Sequence, residues 1–186
     1  MSIMTQELKT YVDDIYSGKN SDVDARWGRA SMYYFPDPVT ESIKELGVKT
    51  VLDYGCGYSE VTNTLAKELV NIRFERYDPL ISEFSNFPKD SYDLVMCNSV
   101  LHMLDSHELV EAVNNLHQLS NQYVFVFVPV AGARQAEEYV RWHAIFAPLF
   151  DFKHKACRPF ENIPLHHAKH GLTHYMTFQL EKRRNK

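Results

Sequence analysis

The stretch Val51-Leu52-Asp53-Tyr54-Gly55-Cys56-Gly57-Tyr58-Ser59-Glu60 decides the fold. Val51 and Leu52 are apolar residues suited to a buried strand, and Asp53 places an acid at its end. Gly55 and Gly57 remove side chains where the backbone turns sharply and a ligand comes close. From about Thr62 the apolar spacing becomes helical, with Val61, Leu65, Leu69 and Val70 on one stripe. Strand, glycine turn and helix form the opening unit of a doubly wound, mostly parallel nucleotide-binding α/β fold.

The ligand follows from charge. A dinucleotide loop needs a third small residue at the sixth position, and here that residue is Glu60. Glu60 and Asp53 together would repel a pyrophosphate at the helix N-terminus. Two acids suit a ligand with positive charge and no phosphate. S-adenosylmethionine (SAM) has those properties: a sulfonium, an ammonium, a ribose diol and an adenine. A second acid is then expected about 20 residues on, at the end of the next strand, to hold the ribose hydroxyls. Asp78, closing Ile72-Arg73-Phe74-Glu75-Arg76-Tyr77-Asp78-Pro79, occupies that place.

Three stretches carry a family resemblance. Val51–Ser59 resembles motif I of class I, Rossmann-like SAM-dependent methyltransferases. Asp78 resembles their ribose-binding acid. Tyr92-Asp93-Leu94-Val95-Met96-Cys97-Asn98-Ser99-Val100-Leu101-His102-Met103-Leu104 resembles their motif IV. The similarity covers residues 48 to 130, and three motifs in order are more specific than motif I alone. Short phage and bacterial methyltransferase-domain proteins are similar in the Asp-Tyr-Gly-Cys-Gly wording. There are two departures. Ser59 stands where a third glycine is common, and the stretch from Asp78 to Tyr92 is too short for the usual helix and third strand. That strand is therefore expected to be trimmed, with an antiparallel hairpin strand closing the sheet at the C-terminus.

The resemblance implies SAM as cofactor, held by Asp53, Gly55, Cys56, Gly57, Asp78, Pro79, Asn98, Ser99 and Val100. Trp27, from a segment before motif I, would fold over it. His102 follows the Asn98–Val100 segment and is the candidate general base, since imidazole titrates near neutrality. The implied activity is methyl transfer to a small molecule, or to a nucleotide- or sugar-type acceptor. The alternative is a SAM-binding module without catalysis, acting as a partner subunit. Asn98 is followed by Ser99-Val100 rather than by prolines, which disfavours the DNA amino-methylating chemistry.

Composition sets outer bounds. The chain has 186 residues, 45% apolar and 13% aromatic, enough for a single domain with a real core. A formal net charge of −4 argues against a surface built wholly for nucleic acid, without excluding a local basic groove. Three scattered cysteines, Cys56, Cys97 and Cys157, fit reduced thiols in a cytoplasmic protein and form no metal-type pair. Neither a secretory leader nor a membrane span is read from the chain.

The remaining expectations follow the chain. A helix is expected over 5–17. Residues 1–47 form a helical lid segment in which Trp27 and Tyr33 or Tyr34 either cover the reacting methyl or pin the segment to the body. A second helix runs Val39–Leu46, ended by Gly47. Strands are expected at 72–77, 93–98 and 123–128, the last ended by Pro129. Asp105 and Glu108 read as a capping box for the helix after motif IV. A helix over 134–149 and strands at 150–157 and 174–180 complete the sheet. His166, His170 and His174 are spaced four apart, but Gly171 and the strand pattern beyond it favour a polar loop over a metal site.

Overall fold

Apolar runs separated by glycine- and acid-marked loops become a six-stranded sheet flanked by helices. The structure, a computed structural model, describes residues 36–58, 60–159, 171 and 174–183. The elements in order are α1 (Pro36–Leu46), β1 (Thr50–Tyr54), α2 (Val61–Glu68), β2 (Arg73–Tyr77), β3 (Tyr92–Asn98), α3 (Ser106–Leu119), β4 (Ser120–Val130), α4 (Gln135–Phe146), β5 (Phe150–Pro159) and β6 (His174–Lys182). The helix expected over 5–17, Trp27, Tyr33, Tyr34, Ser59, His166 and His170 lie outside the described residues. His174 opens a strand, so it does not continue a helix from His170.

The strand order is β2-β1-β3-β4-β6-β5. The first four strands are parallel, and β6 pairs antiparallel with both β4 and β5. β2 is an edge. Between Asp78 and Tyr92 the chain forms only a short 3-10 turn, Ser82–Phe84, so the third strand and its helix are absent. β1 has β2 on one side and β3 on the other. The strands are thus laid down first to one side of β1 and then to the other, and ligand crevices open at such points beyond the strands' carboxyl ends.

β3 explains its own position. Leu94 and Met96 face one side, Val95 and Cys97 the other, and all four are buried. Only a central strand of a covered parallel sheet accepts apolar residues on both faces. On one face Leu116, Trp142, Phe146 and Phe178 pack with β3 and β4. On the other, Ile43, Val61 and Leu65 meet Val51, Met96 and Phe127. The capping box forms as expected: Asp105 Oδ1 accepts from the His107 and Glu108 N–H groups at 2.8 Å, and Glu108 Oε2 accepts from Asp105 N–H.

Two expectations are corrected. The helix before motif I begins at Pro36, three residues earlier than expected, because a proline in a helix's first turn loses no intrahelical bond. Pro129 does not end β4, which continues to Val130. Phe127 O accepts from Ser99 N–H, so Phe127 and Pro129 both turn their backbone groups towards β3. The β3 ladder stops at Phe127, and Pro129 forfeits no ladder bond. Among the described residues no helix is long and apolar enough to cross a membrane.

Candidate functional site

The site is built from the carboxyl ends of β1, β2 and β3. Gly55 and Gly57 have φ of +75° and +51°, the left-handed conformation that glycine adopts without steric penalty. Their turn is tied to β2: Gly55 N–H and Cys56 N–H both donate to Tyr77 O, at 2.7 and 3.2 Å. The next bond carries the assignment. Gly57 N–H donates to Asp78 Oδ2 at 2.8 Å, so the acid of β2 is turned onto the glycine bend. Asp78 Oδ1 accepts from Leu80 N–H at 2.9 Å. Each carboxylate oxygen has a second acceptor position beyond these bonds.

Asp78 is itself pinned. Its N–H donates to Phe84 O at 3.0 Å, so the short 3-10 turn braces it. Burial pushes the Asp78 carboxyl above the usual range, against the lowering effect of the Leu80, Gly57 and Ile81 amides. Asp53 lies deeper, between β1 and the first turn of α2. The Thr62 hydroxyl donates to its Oδ2. Burial raises the Asp53 pKa to about 6, while the Thr62 bond and Arg76, its register partner on β2, pull it down. Both acids push the Cys56 thiol further up, beyond what burial does alone, so Cys56 is a neutral thiol.

β3 delivers the third wall. Ser99 is the only non-glycine among the described residues with positive φ, at 56°. Such a conformation costs about 1–2 kcal/mol. The Ser99 N–H bond to Phe127 O at 2.9 Å holds it, and the kink turns Val100 back onto the glycine bend. A Cβ at Gly55 would collide with Val100 Cγ2 and stand 3.1 Å from Cγ1. The absence of a side chain at Gly55 therefore serves Val100 first, where the sequence suggested close approach of a ligand. Asn98 is half-buried and its Oδ1 accepts from Ser99 Oγ at 3.1 Å. His102 follows in the 3-10 turn Leu101–Met103, half-buried.

The fold thus gathers Asp53, Gly55, Cys56, Gly57, Asp78, Ser99 and Val100 at one crevice, with Asn98 and His102 beside it and Pro79 exposed at its edge. Trp27 falls outside the described residues. The sequence reading missed Thr62, Arg76 and three backbone carbonyls, those of Tyr77, Phe84 and Phe127. Thr62 had a signal, since a hydroxyl in a helix's first turn can reach back to the strand acid; the carbonyls carry none. The donor set fits SAM: two acids, Asp53 and Asp78, with Asp78 on the glycine bend, and, among the described residues, the one arginine beside them, Arg76, engaged with Asp53 and Asn63.

Comparison with known proteins agrees. A methyltransferase domain family model matches residues 22–177. A search of curated protein sequences finds no match. Among solved structures, the chain is similar to magnesium protoporphyrin IX methyltransferase (ChlM) from Synechocystis PCC 6803 with bound SAM, at 14% identity and a TM-score of 0.65, covering 94% of this chain and 97% of that one. It is also similar to Burkholderia thailandensis 1,6-didemethyltoxoflavin-N1-methyltransferase, at 14% identity and a TM-score of 0.63, covering 99% and 92%. The plantazolicin methyltransferase BpumL is similar at 11% identity and a TM-score of 0.60, covering 96% and 98%. At these identities the structures speak for the fold, and the family match speaks for the chemistry. The chain belongs to the methyltransferase domain family, as a class I methyltransferase that uses SAM.

Proposed function

We propose that this methyltransferase acts on a small-molecule acceptor, of which a nucleotide- or sugar-type compound is one form, within a single domain spanning residues 1–186 that works in the cytoplasm. The observation that supports the site is the Asp78 carboxylate facing the Gly55–Gly57 bend. In this reading Asp78 takes the ribose hydroxyls with the acceptor positions its backbone bonds leave open. Gly55, Cys56 and Gly57, whose N–H groups are engaged, offer backbone carbonyls to the ammonium of the amino-acid end, and Asp53 supplies negative charge behind it. Pro79 lies against the adenine, and Asn98, Ser99 and Val100 form the wall beside the sulfur.

SAM, when bound, supplies an electrophilic methyl group on a sulfonium. The protein's share is to hold an acceptor nucleophile in line behind that methyl with water excluded. Ser99 and Val100 fix the floor on which the two meet. His102 takes a proton from the acceptor where the acceptor nucleophile carries one, and is idle where it does not. Calorimetry with SAM and S-adenosylhomocysteine (SAH) tests the cofactor site, and transfer of labelled methyl to metabolite pools tests the acceptor class. Binding with label in the small-molecule fraction is expected. No binding in the millimolar range, or label only in protein or nucleic acid, would overturn the reading.

A further inference from the structure

The geometry points to a second binding site, between α4 and the β5–β6 hairpin, for an apolar, planar molecule that carries one acidic group. It rests on the methyl-transfer reading only for the identity of its occupant, the non-reacting end of the acceptor. The cavity has a volume of about 400 Å³, within the range of small-molecule sites. Ala136, Tyr139, Ala156, Cys157 and Met176 form most of its wall, Gln135 adds an amide, and Lys155 stands among them. An apolar wall with one placed charge is the composition such sites have.

Lys155 gives the sign of the ligand. Its Nζ lies 4.2 Å from the Tyr139 ring centroid and 2.5 Å from the Tyr139 hydroxyl oxygen. Four neighbouring cations are ion-paired: Lys153 with Glu181, Arg183 with Asp151, Arg134 with Glu137 and Arg141 with Glu138. No carboxylate among the described residues pairs with Lys155. An ammonium has three donors, and the tyrosine hydroxyl takes one. Among the described residues, the cavity therefore holds a positioned cation with donors to spare beside an aromatic face. That matches a ring bearing a carboxylate or similar acid.

The register connects this cavity to the cofactor crevice. Asn98 pairs with Phe127, Phe127 with Thr177, and Thr177 with Ala156. Ala156 thus lies on the same row of the sheet as Asn98, and Met176 and Cys157 lie one row nearer the carboxyl edge. Met176, Cys157 and Val100 pack against the same core cluster, on one face of the sheet. Two strand spacings separate β3 from β6, roughly 10 Å. A molecule seated in the cavity can reach the crevice with a reacting end one ring or short chain away.

The test uses the full chain, with and without saturating SAH, titrated with 2-naphthoate and with the neutral 2-naphthalenemethanol. The acid should bind at least tenfold more tightly than the alcohol. Lys155→Met should bring the two within twofold of each other, and Ala136→Trp should abolish both. SAH affinity should stay within twofold in both variants. Equal binding of acid and alcohol, binding of neither, or a Lys155→Met variant that keeps the preference would each overturn the site. Absence of SAH binding to the wild-type chain would instead remove the methyl-transfer reading, since the acid preference is scored without SAH as well.

Discussion

The two ends of the sheet are held by different forces. Around β1, β2 and β3 the determining contacts are polar and mostly to backbone: Gly57 N–H to Asp78, Gly55 N–H to Tyr77 O, Ser99 N–H to Phe127 O. Around α4 and the β5–β6 hairpin they are aromatic. The Trp142 and Phe146 rings lie 5.8 Å apart and stacked, Phe146 meets Phe178 edge-on, and all three are buried. Even the Trp142 indole N–H finds no acceptor among the described residues. The cofactor end is specified by where backbone groups point, and the far end by volume. Substitutions should therefore separate binding from stability according to the end they touch.

The largest effect on stability belongs to the aromatic end. Trp142→Ala opens a cavity at a fully buried aromatic position, and should destabilise by about 3–5 kcal/mol. SAH affinity, measured where the variant is folded, should change less than twofold. Gly55→Ala comes next. It forces a side chain into a left-handed conformation at about 1–2 kcal/mol and drives its Cβ into Val100, for a total of about 3 kcal/mol. Adding Val100→Ala should restore part of that loss, and a double-mutant cycle reads the coupling. If Val100→Ala gives no recovery, the glycine is required by the backbone alone. Asp78→Ala removes the acceptor for Gly57 and Leu80 and should weaken SAH binding by roughly 1–3 kcal/mol, with a smaller change in melting temperature.

The same contrast explains what could be read from the chain beforehand. The strand-turn-helix of β1 and α2, the acid after β2, the trimmed edge and the Asp105 cap were all legible, because each is a short-range pattern with its own chemistry. The interior of β4 misled at Pro129, since whether a proline ends a strand depends on which neighbour its nitrogen faces, a fact of register. Val100 on Gly55 was invisible because two residues 45 positions apart meet only through the kink at Ser99. The Lys155–Tyr139 cavity was invisible for the same reason: no periodicity announces that a lysine on a strand and a tyrosine on a helix will touch.

The last effect is the most discriminating, because at the cofactor end one acid, Asp53, bears on stability and on binding in opposite directions. Asp53 has its pKa raised from 3.8 to about 6 in the folded chain. Between those values the folded state holds a proton that the unfolded state has released. Stability therefore falls as pH rises through this window, and above it the charged, buried Asp53 costs about 3 kcal/mol. A cationic ligand has the opposite preference, since it binds the ionised acid. SAM affinity should fall as pH drops through about 6, in the same window where the ligand-free chain becomes more stable. Asp53→Asn should flatten both curves. The Asn Oδ1 can still accept from Thr62, so the variant should melt higher at neutral pH while binding SAM more weakly. Melting curves and titrations from acid to neutral pH, on wild type and variant, give the four slopes. If affinity and stability moved in the same direction with pH, Asp53 would be a core acid with no part in holding the cofactor's charge.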